Sequence, residues 1–243
     1  MKILIIGESC TDVFHYGTCD RLCPEAPVPV FKSIEVVDNG GMAMNVHSNL
    51  SSFEIQPDIV TNENWKLITK TRFVDKRTNH MFMRLDQNDD DYGSCNVKKI
   101  NFNLYDAVIV SDYNKGYLSE EDLKFISENH NLTFLDTKKR LGIWAENYKF
   151  IKINNKEYDL SKPCINKKIE SILIVTQGPK GCFYKDKNYD VPLVEVKDTS
   201  GAGDTFISAL CYKYCQTDNI DLAINFANKC ATEVVQKMGV AVV

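Results

Sequence analysis

The residues best placed to do chemistry lie in one run, Asp198-Thr199-Ser200-Gly201-Ala202-Gly203-Asp204-Thr205-Phe206, which leads straight into Ile207-Ser208-Ala209-Leu210-Cys211-Tyr212. The second half has a helical pattern, so Gly201-Ala202-Gly203 forms the turn at a helix N-terminus. Small residues there let the backbone approach a ligand closely, and free N–H groups at the positive end of the helix dipole attract an anion such as phosphate. Asp204 puts a carboxylate where that anion belongs. Phosphoryl transfer uses both: the carboxylate takes the proton of an attacking hydroxyl while the N–H groups take up charge developing on the transferred oxygens. A dinucleotide fingerprint would need a third glycine where Phe206 stands, and no G-x-x-x-x-G-K-[ST] string occurs. The bland alternative is a glycine-rich helix start in which Asp204 merely complements the dipole, worth ~0.3–1 kcal/mol.

The elements that must position this run alternate. Lys2-Ile3-Leu4-Ile5-Ile6 ends at Gly7, and similar apolar runs recur at 107–110, 132–135, 150–153 and 172–175, as expected for strands buried on both faces of a parallel sheet. Ser119 to Asn129 reads as a helix, with Ser119 as cap and Asp122 as the capping-box acid. Strand and helix in alternation predict an α/β protein. From Ala223, the apolar positions Phe226, Ala227, Cys230, Ala231, Val234, Val235 and Met238 predict a last helix ended by Gly239. Val28 to Val37 and two β-like stretches within Ile68 to Asp86 break the rhythm and predict a small β-flap beside the main sheet. Asp89-Asp90-Asp91 fails as a calcium loop, because Asp91 replaces the turn glycine and Val97 stands where the bidentate acid belongs; a solvated turn is expected. With no repeat or linker, residues 1–243 are expected to form a single domain, its lid strands within 21–38 and 68–86.

Composition narrows the function classes. The 243 residues carry 29 Lys+Arg against 33 Asp+Glu, a net charge of −4 with no basic stripe, which argues against a nucleic-acid or anionic-membrane partner. No apolar run approaches the ~18 residues of a membrane span, and the four apolar residues before Gly7 are too few for a signal-peptide core. Nine cysteines make an odd count without a C-x-x-C pair, and His15, His47, His80 and His130 stand apart, so neither a disulfide framework nor a zinc site is indicated. A reduced, cytoplasmic protein is expected.

The Asp198–Asp204 run resembles the signature of the ribokinase-like, PfkB-type carbohydrate kinases, whose D-T-x-G-A-G-D string supplies an anion hole and a catalytic base. The likeness extends over nearly the whole chain. Thr176-Gln177-Gly178-Pro179-Lys180-Gly181 resembles the T-x-G-x-x-G turn of that family's nucleotide site, and Ala227-Asn228 falls where its last helix lines the adenine pocket. Asn154-Asn155-Lys156-Glu157 is similar to N-x-x-E, whose carboxylate acts through magnesium-bound water, and Gly40-Gly41 followed by Asn45 resembles the substrate-binding glycine pair. Within the family, the strongest likeness is to the kinase domain of bifunctional heptose-phosphate kinase/adenylyltransferases. Arg21 to Val30 resembles their R-x-S-P-E-A-P-V-P-V lid segment, and Thr71-Arg72 with Arg84-Leu85-Asp86 resembles their second lid hairpin. Ser111 to Gly116 resembles their S-D-Y-x-K-G strand end, and Asp136-Thr137-Lys138 their D-P-K.

The resemblance implies a three-layer ribokinase-like fold, with a mostly parallel central sheet and a small β-lid, that uses ATP and Mg²⁺. It implies Asp204 as base and Gly201, Ala202 and Gly203 as anion hole. Thr176, Gly178, Gly181, Asn228, Asn154 and Lys138 would meet the nucleotide, and Glu157 with Asn154 the metal through water. Asp12, Gly40, Gly41, Asn45, Arg72, Arg84, Asp112 and Lys115 would meet the sugar. The implied reaction is the ATP-dependent phosphorylation of D-glycero-D-manno-heptose 7-phosphate at position 1. Another sugar or nucleoside kinase of the same fold, or a sugar- or nucleotide-binding relative impaired in turnover, stays open. By analogy the lids pair in a homodimer. Several of these residues also have plain readings: Asp12 as a turn acid, and Arg72, Lys76, Arg77 and Arg84 as charges that keep an exposed sheet soluble.

Three departures stand out. Glu8 occupies a position where heptose kinases carry Asp, Asn45 lies one residue further from Gly40 than in those kinases, and between Phe53 and Ile68 only Glu54 to Leu67 remains of a longer glycine-rich section. Losing that section removes about one βα unit of ~30 residues from the sheet's edge.

Overall fold

Ile3–Gly7 forms β1, five residues without an exposed side chain, as its unbroken apolar run requires. The computed structural model describes all 243 residues, Met1–Val243. After Glu8 the chain runs directly into β2 (Ser9–Thr18), returns antiparallel as β3 (Lys32–Met42) and enters α1 (Ala43–Ser52) without a connecting loop. β4 (Asp58–Val60) lies parallel to β1, and the chain leaves the main sheet again for the hairpin β5 (Thr69–Asp75) and β6 (Met81–Gln87). The next elements are β7 (Ala107–Asp112), α2 (Glu120–Asn129), β8 (Thr133–Thr137), β9 (Phe150–Asn154), α3 (Asn155–Ser161), α4 (Lys167–Glu170) and β10 (Leu173–Thr176), with no α-helix between β8 and β9. Two short antiparallel strands, β11 (Cys182–Tyr184) and β12 (Lys187–Tyr189), precede α5 (Ala202–Thr217) and α6 (Ile220–Val234).

These strands make two sheets. The main sheet has eight strands in the order β12-β11-β10-β9-β8-β7-β1-β4, parallel from β10 to β4. Alternation along each strand sends Ile3, Ile5, Ile109, Phe134 and Ile174 toward α1, α5 and α6, and Leu4, Ile6, Val110, Leu135 and Ile153 toward α2 and α4. Three layers result, as expected. Ser119 caps α2 through a capping box with Asp122, also as expected.

The second sheet, in the order β3-β2-β5-β6, is the lid, and its strands sit partly outside the expected stretches. β2 joins it although Ser9 to Thr18 gives no flap signal in the sequence, and within 21–30 only a single bridge, Leu22 to Pro29, forms. The last helix is also shorter than its apolar spacing predicts, ending at Val234 rather than near Met238. The cause is tertiary: the backbone N–H groups of Lys197 and Asp198 donate to the Val235 carbonyl at 2.8 and 3.3 Å, capturing an acceptor that a longer helix would use. Gly239, with φ +71°, serves a later turn. The main sheet stops at the three-residue β4, and no strand lies beyond it, which is the structural form of the short stretch from Glu54 to Leu67.

Candidate active site

Asp204 sits in the first turn of α5, behind a helix cap formed by Gly201 at φ +79°. The turn is set by Asp198, whose Oδ1 accepts the Ser200 N–H at 2.8 Å. The Asp204 carboxylate is 5% exposed. Its Oδ1 accepts the Tyr113 hydroxyl at 2.8 Å and its Oδ2 accepts the Asn45 side-chain amide at 2.8 Å. Asn45 is fixed in turn by Asn49, which donates to the Asn45 carbonyl at 2.8 Å and accepts from Thr205 Oγ1 at 2.9 Å. Burial pushes the Asp204 pKa up to about 6; the Asn45 hydrogen bond draws it down, Asp136 pushes it up, and Tyr113 and Lys152 draw it down. Such a carboxylate is ionised at neutral pH yet basic enough to accept a hydroxyl proton as it transfers.

Two cavities meet at this turn. One, of about 210 Å³, is lined by Thr176, Gly178, Gly181, Ala202, Gly203 and Asn228 together with the apolar side chains of Pro192, Leu193 and Val235. Gly181 has φ +78° and no room for a Cβ against the Tyr189 carbonyl, which also accepts the Asn228 side chain at 2.9 Å. An apolar slot ending at a helix N-terminus that no side chain caps, where the Ala202 N–H reaches the Thr199 carbonyl at 3.3 Å, fits a flat base at one end and phosphate at the other. The second cavity, of about 290 Å³, holds Asp12, Asn45, Arg72, Arg84, Lys115, Gly201 and Asp204.

The charges of the second cavity pair with one another. Arg72 bonds Asp12 and lies over the Phe14 ring at 4.9 Å; Arg84 grips Asp86 through two bonds of 2.7 and 2.6 Å. Gly41 packs against the Asp12 carboxylate and the Cys10 sulfur, where any side chain would overlap, and Gly40 lies against Met44. Asp89 corrects the expectation of a solvated turn: its carboxylate is 16% exposed and accepts from Lys70, Lys115 and Tyr92. Burial works against its charge, but the hydrogen bonds from Lys115, Lys70 and Tyr92 hold its pKa well below the usual carboxylate range. Asp90 and Asp91 are exposed as expected. Lys70, only 7% exposed in the cavity wall, carries no motif that would single it out in the sequence.

Other expected site residues fall elsewhere. Asp112 lines neither cavity; it is 1% exposed and engaged by Thr137 Oγ1 and by Lys139 Nζ at 2.7 Å, so the expected sugar contact is not formed. The strand end shapes the site indirectly. Glu8, fully buried, accepts the backbone N–H groups of Tyr113 at 2.8 Å and Lys115 at 2.9 Å, one with each oxygen, and so aims both side chains into the cleft. Burial, then the neighbouring Asp112, raises the Glu8 pKa. Asn154 and Glu157 cap α3 reciprocally, the Glu157 N–H reaching Asn154 Oδ1 at 3.1 Å and the Asn154 N–H reaching Glu157 Oε2 at 2.7 Å; Glu157 also binds Lys138. No group of three or more His, Cys, Asp or Glu side chains converges to hold a metal ion directly. With Glu157 the one carboxylate at this position, a magnesium ion here would need water and phosphate oxygens for the rest of its octahedral shell.

Residues 145–242 match the family described as pfkB family carbohydrate kinase. Over a 297-residue alignment the chain is 29% identical to the bifunctional protein HldE of a Nitratiruptor species, using 99% of this chain and 62% of that protein. It is 28% identical over 295 residues to the HldE of a Helicobacter pylori strain, covering 99% of this chain and 64% of the relative. The chain thus spans less than two thirds of the length of these relatives, and each alignment is longer than the chain itself, so the relatives carry internal residues it lacks. Among solved structures, a ribokinase from Thermotoga maritima superposes with a TM-score of 0.68 at 18% identity, covering 98% of this chain and 94% of that one. A nucleoside kinase from Methanocaldococcus jannaschii gives 0.70 at 16% identity, covering 98% and 93%.

Proposed function

We propose that the chain is a carbohydrate kinase of the PfkB, ribokinase-like family, whose description matches residues 145–242, and that it transfers the terminal phosphoryl group of ATP to a hydroxyl of a phosphorylated sugar. A heptose 7-phosphate becoming its 1,7-bisphosphate is the favoured reaction. The observation that carries this reading is the position of Asp204: a buried carboxylate at the junction of two cavities, beside a helix N-terminus that no side chain caps.

In this reading the smaller cavity takes the nucleotide, with Thr176, Gly178, Gly181 and Asn228 along its wall, and leads the phosphates to the N–H groups of Gly201 to Gly203. The larger takes the sugar. Asp12, Gly41 and Asn45 hold its hydroxyls near Asp204, while Arg84, Lys115 and Lys70 lie where a substrate phosphate would draw them from Asp86 and Asp89. Asp204 accepts the hydroxyl proton, Tyr113 and Asn45 keep its carboxylate aimed, and the anion turn receives the charge on the transferred oxygens. Magnesium would neutralise phosphate charge, with Glu157 supporting it through water and Lys138 beside Glu157.

Support for the phosphorylated sugar comes from the four cations in one cavity wall and from the HldE relatives. Purified protein with ATP, Mg²⁺ and a panel of free and phosphorylated sugars tests the proposal. Transfer to a phosphorylated sugar that is abolished by Asp204→Asn supports it, and tight binding without turnover on any sugar marks an impaired binder instead. The lid leaves Ile34, Val36, Met81 and Met83 exposed, and we propose that it pairs with the lid of a second copy; sedimentation showing monomer across micromolar concentrations would overturn this. No helix is long and apolar enough to cross a membrane, and the nine cysteines are unpaired, which suits a reducing, cytoplasmic setting.

A further inference from the structure

Two side chains that the mechanism above does not use lie directly behind the anion turn. Asp136 of β8 and Lys152 of β9 are register partners near the carboxyl ends of adjacent parallel strands, where α/β sheets build their sites. Lys152 Nζ donates to Asp136 Oδ2 at 2.7 Å, with the two side chains 4% and 7% exposed. No other protein acceptor engages the ammonium, and Asp136 Oδ1 is buried without any hydrogen-bond partner. Packing gives no reason to keep such a pair, because a buried ion pair left partly unsatisfied is commonly no better for stability than apolar residues of the same volume.

Its placement gives a reason. A Cβ on Gly203 would stand 2.7 Å from Lys152 Nζ and 3.9 Å from Asp136 Oδ2. Gly203 is not forced to be glycine by a left-handed backbone, since it lies inside α5 and is absent from the positive-φ positions; the ammonium fills the space a side chain would take. The pair is neutral in sum, but its positive end is the nearer to the turn, so it acts as an oriented dipole that reinforces the helix N-terminus from a buried position.

We propose that Lys152 is a positioning residue of the anion turn: held by Asp136, its ammonium adds a fixed positive charge behind Gly203 to the N–H groups that receive the terminal phosphoryl group of a nucleoside triphosphate. The inference rests on the reading of residues 201–203 as the anion hole.

Lys152→Met removes the charge and keeps the chain length and apolar volume. Calorimetric titration of the full chain in Mg²⁺ buffer with ADP and with a non-hydrolysable ATP analogue reads the effect without turnover. The expected result is an ADP affinity within about twofold of the parent, a triphosphate affinity about tenfold weaker and, with sugar phosphate present, a kcat about 100-fold lower; Lys152→Arg recovers part of the loss. If Lys152→Met fails to fold because Asp136 is left charged and unpaired, the double variant Lys152→Met/Asp136→Leu removes both charges and is titrated in the same way. A triphosphate-to-diphosphate affinity ratio equal to the parent's would overturn the inference. Failure of the base assignment looks different: Asp204→Asn would then turn over like the parent, while the affinity ratio still decides the role of Lys152.

Discussion

Asn45 and Asp204 are separated by 159 positions in the chain and by 2.8 Å in the site, the Asn45 amide donating to Asp204 Oδ2. A residue proposed to meet the sugar is thus also a partner of the proposed base. Removing it should alter the pH dependence of the reaction more than the binding of sugar. Because a base works ionised, kcat/KM is expected to rise with pH through about 6 and level off above 7. Asn45→Ala takes away a hydrogen bond that favours the charged form, so the rising limb should move up by about one pH unit. A pH–rate profile with an unmoved limb would count against this coupling.

The same carboxylate makes a stability prediction of definite sign. Its pKa is raised on folding from 3.8 to about 6, so its contribution is fully present below pH 4 and is lost as pH rises through 6. The loss amounts to as much as about 3 kcal/mol. Asp204→Asn has no such titration. Urea unfolding from pH 4 to 8 should show the parent's stability falling relative to the variant's across that window, alongside loss of transfer by a factor of about 10³ or more in the variant. Parallel curves would show that Asp204 titrates in the folded protein as it does unfolded.

Much of the site was legible because it resides in contiguous backbone turns. Asp198 to Asp204 and Thr176 to Gly181 are local structures whose glycines and caps announce themselves, and the capping box at Ser119 follows from residues three positions apart; the box at Asn154 has the same spacing but is expected in the sequence only as an N-x-x-E string. What stayed hidden depends on pairing across the chain. Tyr113 reaches Asp204 over 91 positions, and Lys70 and Lys115 meet on Asp89, which local composition presents as part of an ordinary acidic turn. Asp112 shows the converse: it belongs to a recognisable strand-end string, yet Lys139 and its register partner Thr137 engage it and it lines neither cavity. The helix that ends at Val234 instead of Met238 has the same origin, since a segment distant in sequence caps it.

Gly201 carries two constraints at once. Its φ of +79° disfavours any side chain by roughly 1–2 kcal/mol, and a Cβ there would stand 2.6 Å from Asn45 Nδ2. Gly201→Ala should therefore lower the unfolding free energy by about that amount and push Asn45 away from the base, cutting kcat about tenfold or more. Gly93→Ala is the control: it shares the positive φ of +66° but meets nothing within 4 Å. A comparable loss of stability with unchanged kcat is expected for it.

Arg84 tests the sugar-phosphate reading. Its guanidinium is held in both bonds to Asp86 and lines the larger cavity, and its pKa is raised by that side-chain hydrogen bonding. If it serves a substrate phosphate, Arg84→Gln should raise KM for the phosphorylated sugar by about 10- to 100-fold while leaving kcat and the KM for ATP nearly unchanged. If it only keeps the lid soluble, KM for free and phosphorylated sugars should be equally indifferent to the change. Arg84→Lys should recover little, because a point charge cannot reproduce the two-pronged geometry.

The shortened sheet edge gives the last prediction. With β4 as the final strand, α1 packs on α5 and on the strands beneath it, and Phe53 at its end stacks on Tyr212 of α5 at 4.6 Å with Phe226 of α6 at 5.7 Å. These rings pack together against the apolar layer between the sheet and its helices. Phe53 is half-buried, so Phe53→Ala should cost about 2–3 kcal/mol, at or below the low end for a core aromatic. Because α1 also carries Asn45, the loss should reach the site: thermal unfolding should start earlier, and hydrogen exchange at residues 43–52 should rise before that of β1 and β7, which lie inside the sheet. Turnover well below the transition should stay near the parent's, since the stack touches neither cavity. Unchanged exchange in α1 would mean that the sheet itself, rather than the aromatic stack, holds the helix that orients the base.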